Sequence, residues 1–368
     1  MHRLFLFLKL FDWVLLLPVF LLSIIGLSAI YSIDISRNDT LIFFPTQSIA
    51  LGLGMMTVMI ATLIHKTRYE SLAKIGYIIG LVLLVSVLFF GVTIRGTTGW
   101  FRLAGFSFQP AEVAKISLIL LLAWLIQKQG RRFEKMEFVV SSIFAVGFYA
   151  GLILLQPDLG STLVLGGIWF GLLLAAGIPK KYIITFISIA LFVASCAWLF
   201  LFQDYQKERV LTFLHPERDP LGSGYNVNQS LIAIGSGQLF GRGLGFGSQS
   251  QLHFLPEAQT DFIIAVIGEE LGFVGLCVVL LLFYLLLWRL LWLSQRVKDD
   301  FSSYTLIGIA CLFFIQLSVN IGGATGLLPV TGVTLPFVSY GGSSILINYA
   351  LIGIAGSIAQ SNARFRLS

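Results

Sequence analysis

Apolar residues in this chain run in blocks of about twenty, separated by short polar stretches. A bilayer core of about 30 Å is crossed by about 20 apolar residues of helix, each rising about 1.5 Å. Ten such blocks are present, at about 11–31, 42–64, 75–94, 109–127, 137–155, 159–178, 182–203, 262–293, 302–325 and 341–360. They predict an all-α polytopic membrane protein of ten transmembrane helices forming a single domain over 1–368. The eighth block is longer than a crossing needs, so part of it is expected to tilt or lie in the interface. No internal repeat is evident, which disfavours an inverted-repeat transporter.

The polar positions set the orientation. About two thirds of the 24 Lys and Arg fall on one side, in short connections such as Lys66-Arg68-Lys74 and Lys128-Arg131-Arg132. That side is read as cytoplasmic and holds both termini. The basic start with Arg3 and Lys9, followed by apolar Val14 to Ile30, reads as an uncleaved first span. The long connections then face outward. Arg95 to Glu112 carries aromatics and glycines suited to a membrane interface, and Gln156 to Gly160 is a tight turn. A large outer loop, about 204–261, joins the seventh and eighth spans. Within it, Asn228 to Phe240 reads as a short interfacial helix. The last outer segment, Asn320 to Ser344, is dense in Gly and Pro.

Composition narrows the function. With 57% hydrophobic residues, 11% charged and a mean hydropathy of +0.90, the chain is far from the roughly 25% charged residues of a soluble domain. The net charge of +6 is spread over interhelical loops and makes no nucleic-acid stripe. Cys196, Cys277 and Cys311 lie inside apolar runs without a CxxC, and the four histidines form no HExxH. No tightly bound cofactor is expected. A divalent cation, Mg²⁺ or Mn²⁺, would have to be shared with substrate phosphates, and the identity of any metal ligand is unknown at this level.

Candidate chemistry concentrates in Leu255 to Gly275. Asp261 stands where this segment turns from polar to apolar, so ionising it costs more than in bulk water, and its proton affinity rises toward the range of a base. The plainer alternative is that Asp261 only caps the following helix. Glu269 and Glu270 lie deeper in the same helix, and intramembrane acids suggest function. Glu112 and Lys115, spaced i, i+3, share a helix face. They either neutralise each other or present Lys115 to an anionic substrate. Asp158, after Gln156-Pro157, suits a helix cap. Ser343 and Ser344 open the last span, where glycine and serine amides could form an anion site or merely a flexible lip. Gly241 to Gly247 imitates a dinucleotide fingerprint, but no strand precedes it. Its glycines suit sharp turns or close backbone approach.

Five segments together resemble the SEDS family, the RodA, FtsW and SpoVE proteins of bacterial cell-wall synthesis. They are GFSFQPAEVAKI (Gly105–Ile116), QPDLGS (Gln156–Ser161), the stretch His215–Leu252, FLPEAQTDFIIAVIGEELGFVG (Phe254–Gly275) and NIGGATGLLPVTGVTLPFVSYGGSS (Asn320–Ser344). The resemblance implies a peptidoglycan glycosyltransferase that polymerises lipid II at the outer face of the cytoplasmic membrane, with a class B penicillin-binding protein as partner. It implies that Asp261 is the catalytic acid–base and that Glu112 and Lys115 are the family's Glu–Lys pair. Arg209, Arg242, Ser343 and Ser344 are added as candidate substrate contacts, with Asp158, Glu257, Glu269 and Glu270 in support. Gln259, Ala111 and Gly99 depart from the common pattern without removing an acid or the lysine. Pro329-Val330-Thr331-Gly332 is closer to the elongation form than to the division form. The rival readings are a lipid II flippase, in which Asp261, Glu269 and Glu270 would form a path, and a lipid-binding scaffold.

Overall fold

The computed structural model describes residues 12–36, 41–94, 96–103, 106–129, 136–196, 198–199, 207, 211 and 223–367. Helices occupy each of the ten apolar blocks: α1 (Trp13–Ile35), α2 (Phe43–Leu63), α3 (Lys66–Phe90), α4 (Pro110–Gln129), α5 (Met136–Leu154), α6 (Leu159–Ala175), α7 (Lys180–Cys196), α10 (Ile263–Ser294), α11 (Asp300–Ala324) and α12 (Gly342–Leu367). Among the described residues, eight are long and apolar enough to cross a membrane, while α6 is apolar but shorter. The chain is a multi-pass membrane protein. Outside these lie α8 (Ser223–Ser236) and α9 (Ser248–Gln251).

The expectation of an all-α chain needs one correction. Between α3 and α4 the chain forms an antiparallel meander, β1 (Val92–Ile94), β2 (Thr97–Leu103) and β3 (Phe106–Phe108). Val92 pairs with Trp100 and Phe101 with Phe108. The segment is too polar to stay in hydrocarbon and too rich in β-branched and aromatic residues to remain irregular. Gly96, at φ +80°, supplies the first turn.

α4 and α11 form the centre. α11 packs on α4, α6 and α10, and α4 packs also on α3 and α5. α12 lies along α2, where Gly353 permits close approach: a Cβ there would meet the Ala61 Cβ at 2.5 Å. At one end of the bundle the basic residues are tied to acids. Arg289 donates to both oxygens of Asp12, with Nη2 to Oδ2 at 2.7 Å, joining the end of α10 to the start of α1. Lys66 pairs with Asp299, joining α3 to the cap of α11. Burial pushes the Asp299 carboxyl up, but hydrogen bonds from Lys66 and Ser302 outweigh it and leave the group below its ordinary value.

α8 arrives earlier than the Asn228 start expected from the sequence. Its Ser230 and Ala233 are buried while Leu231 and Ile232 are exposed, and Ser230 Oγ donates to the Ala324 carbonyl at 2.7 Å. Two adjacent apolar side chains pointing outward suit a helix lying in the interface.

Candidate active site

The segment before α10 is a turn fastened on every side. Its first bends put His253 (φ +60°) and Glu257 (φ +54°) in the left-handed region, which costs a non-glycine residue about 1 kcal/mol or more. The turn closes on itself: the Thr260 amide donates to the Glu257 carbonyl at 3.0 Å, and Thr260 Oγ1 donates to the Glu257 carboxylate at 3.1 Å. Three successive carbonyls are then held by side chains and an amide from residues 320–340. The Tyr340 amide donates to Gln259 O at 2.8 Å, Ser339 Oγ to Thr260 O at 2.7 Å, and Asn320 Nδ2 to Asp261 O at 3.2 Å. Asn320 Nδ2 also donates to Val333 O at 2.9 Å. From α2, buried Gln47 donates to Ser339 O at 3.1 Å and accepts from the Gly341 amide at 3.2 Å. Residues 259–261 thus sit on a rigid polar platform built by α2, α11 and residues 333–341.

On that platform Asp261 is half-buried. The capping position of α10 falls on Phe262, with no side-chain cap bond, so Asp261 stands one residue outside the register that capping requires. Beside the turn lies a cleft of about 490 Å³, lined on its polar side by Ser250, His253, Glu257 and Gln259 and on its apolar side by Ile33 and Ile42. Glu257 lines this cleft directly. Asp261 follows from the same turn but is not in the cleft wall.

Glu269 and Glu270 are buried and do a different job. Glu269 Oε1 accepts from the Gln249 amide at 2.8 Å, and Oε2 from the Ser250 amide at 3.1 Å, so it caps α9. Glu270 Oε1 accepts from the Gly245 amide at 3.2 Å and from Ser32 Oγ. Here α10 is broken: Gly272 adopts φ +68°, ψ −165°, a conformation reserved for glycine. The break is healed by exchange with the glycine loop. Phe273 and Val274 amides donate to the Gln238 and Leu239 carbonyls at 2.8 and 3.0 Å, while Arg242 and Gly243 amides donate to the Glu269 and Glu270 carbonyls, each at 3.0 Å. A Cβ on Gly272 would sit 2.2 Å from the Gly241 nitrogen. This explains both the excess length of the eighth apolar block and the glycines at 241, 243 and 245, all at positive φ.

The remaining candidates do not line the cleft. Lys115 Nζ donates to Glu112 Oε1 at 2.8 Å inside α4, both side chains nearly fully buried, and Glu112 Oε2 has no hydrogen-bond partner among the described residues. Asp158 caps α6 through the Ser161 amide at 2.8 Å and also accepts from Gln109 Nε2 at 3.0 Å. Ser343 and Ser344 are buried at the start of α12. The Gly341 amide beside them is taken by Gln47, which leaves less of an anion site than the glycines and serines alone suggest. Arg242 is exposed and donates to Ser248 Oγ at 3.1 Å. Arg209 lies outside the described residues. The sequence reading missed Gln47, Ser339 and Asn320. The available signal was an uncharged polar residue inside an otherwise apolar block, as at Gln47 and Asn320. It missed also Asp34, whose Oδ2 accepts from the Phe43 and Phe44 amides at 2.8 and 2.7 Å and so starts α2.

Among the described residues, no three or more His, Cys, Asp or Glu side chains come together as a metal site.

Comparison with known proteins gives a concordant picture. The family described as a cell cycle protein and comprising FtsW, RodA and SpoVE matches residues 7–364. The peptidoglycan glycosyltransferase MrdB of Escherichia coli K12 is 41% identical over 318 residues, covering 84% of this chain and 83% of that one. A probable peptidoglycan glycosyltransferase FtsW of Thiomicrospira cyclica is 38% identical over 353 residues, covering 93% and 90%. Among solved structures, a chain of a peptidoglycan synthase complex that coordinates polymerization and crosslinking superposes with a TM-score of 0.81 at 32% identity, covering 96% of this chain and 98% of that one.

Proposed function

This chain belongs to the FtsW/RodA/SpoVE family, and from that premise we propose that it is a peptidoglycan glycosyltransferase that polymerises lipid II. The observation that carries the mechanism is the fastening of Gln259, Thr260 and Asp261 carbonyls by Tyr340, Ser339 and Asn320. Fixing the backbone on both sides of a half-buried carboxylate holds it in one position, as a general base requires. Asp261 takes the proton from the acceptor's GlcNAc 4-hydroxyl. That oxygen attacks C1 of the donor MurNAc, and undecaprenyl pyrophosphate departs with the bonding pair. Cationic side chains of the outer segments, Arg242 and Arg209, offset the charge on the leaving group, with Lys115 as a deeper contribution. A divalent ion, Mg²⁺ or Mn²⁺, would arrive with the pyrophosphate.

The reading carries a topology with it: ten crossings of the bacterial cytoplasmic membrane, both termini inside, and the Asp261 platform at the outer face. A class B penicillin-binding protein is the proposed partner, supported by the likeness to a peptidoglycan synthase complex. An elongation role is favoured over division by Pro329-Val330-Thr331-Gly332. Lipid flipping through the acids of α10 loses support because Glu269 and Glu270 are engaged as caps of backbone amides.

The test is purified protein with fluorescent lipid II in detergent, with and without Asp261→Asn. Loss of the base is expected to reduce glycan chains by about 10²–10⁴-fold. Equal polymer from both proteins removes Asp261 from its role. No polymer even with the partner present, together with lipid scrambling in vesicles, would favour the flippase.

A further inference from the structure

At the basic end of the bundle two cation–indole clusters are built alike and completed differently. In one, Arg289 and Arg296 lie 4.2 and 3.7 Å from the Trp292 ring centre, and Arg289 is neutralised by Asp12. In the other, Lys74 of α3 and Lys128 of α4 lie 4.2 and 5.2 Å from the Trp124 ring centre. The two ammonium groups therefore stand no more than about 9.4 Å apart, inside one Debye length of about 10 Å at 0.1 M salt. Both lysines are exposed, and among the described residues neither forms an ion pair. Glu70, one turn before Lys74, makes none with it. The platform beneath is firm: Trp124 packs with Tyr69 and Tyr304 against buried Ala73, Leu120, Ala123 and Phe301.

Snorkelling along an aromatic ring accounts for one lysine stem. It does not account for two charges from different helices meeting at one indole with no ion pair among the described residues, whereas Asp12 is paired with Arg289 at the sister cluster. We propose that the Lys74–Trp124–Lys128 cluster is a binding site for the phosphate headgroup of an anionic phospholipid. The cluster sits at the end of an apolar helix pair, so acyl chains would lie along exposed Ile75, Ile78 and Ile79 of α3. A lipid is favoured over free phosphate because only a lipid uses that apolar surface together with the charge.

The experiment is native mass spectrometry of the full chain in detergent with added phosphatidylglycerol, phosphatidylcholine of the same acyl chains, or inorganic phosphate. The wild type is expected to retain phosphatidylglycerol in preference to phosphatidylcholine. Each lysine contributes about fivefold, so Lys74→Gln/Lys128→Gln loses about 25-fold in apparent affinity. Lys74→Arg/Lys128→Arg keeps the retention, and thermal unfolding of each variant checks that it folds. Unchanged retention in the Gln pair, equal retention of the zwitterionic lipid, or displacement of the lipid by millimolar phosphate would each overturn the assignment.

Discussion

Replacing Glu269 separates an acid that holds the structure from an acid that moves protons. Its side chain is buried, and its two oxygens serve the backbone amides of Gln249 and Ser250. Alanine strands both amides away from water. Each stranded donor costs about 1–3 kcal/mol, so Glu269→Ala is expected to lose roughly 2–6 kcal/mol. Glutamine keeps one carbonyl acceptor and is expected to lose about half of that. At about 2 °C per kcal/mol for a chain of this size, the melting temperature falls by roughly 4–12 °C for alanine and 2–6 °C for glutamine. The assay pairs thermal unfolding in detergent with lipid II polymerisation well below the unfolding range. Activity is expected to track folded protein, so Glu269→Gln retains most of it. A glutamine variant that melts like the wild type yet makes no polymer would refute the structural reading and return Glu269 to the chemistry.

Further expectations follow from the same geometry. Gly272→Ala forces a Cβ to within 2.2 Å of the Gly241 nitrogen at a glycine-only conformation and is expected to abolish stable expression. Gly151→Ala, in α5 with nothing within 4 Å, is expected to be neutral or stabilising by about 0.5–1 kcal/mol. Size-exclusion profiles of the pair check this. Asn320→Ala frees the Asp261 and Val333 carbonyls and is expected to lower polymerisation kcat more than KM, because it blurs the position of the base without touching substrate; steady-state kinetics decide. The Asp299 carboxyl lies below its ordinary value, so its contribution to stability is complete above about pH 4 and drains away as pH falls through the depressed folded value. Asp299→Asn should therefore melt below the wild type at neutral pH, with the gap narrowing below pH 4 in a pH series of melting curves.

The residues alone disclosed the apolar blocks, because each hydrocarbon crossing demands about 20 apolar residues in a row and leaves an unmistakable run. They also disclosed the family, through long ordered segments such as Phe254–Gly275, and the Asp158 cap, whose partners are only three residues away. What they hid were arrangements made between distant parts of the chain. The meander between α3 and α4 depends on pairing across Gly96, which composition does not announce. The break at Gly272 is tolerable only because residues 238–243 fold back to trade hydrogen bonds with it. For the same reason the partners of Glu269 and Glu270, placed in a supporting role by the sequence, could not be named from it: an acid inside an apolar run signals that its charge must be satisfied, not by whom. The hold on Asp261 comes from Asn320 and Ser339, tens of residues downstream, with Gln47 steadying Ser339 from far upstream. A hydrogen bond between residues far apart in the chain leaves no period or spacing to read, so only the packed bundle could decide which polar side chains meet.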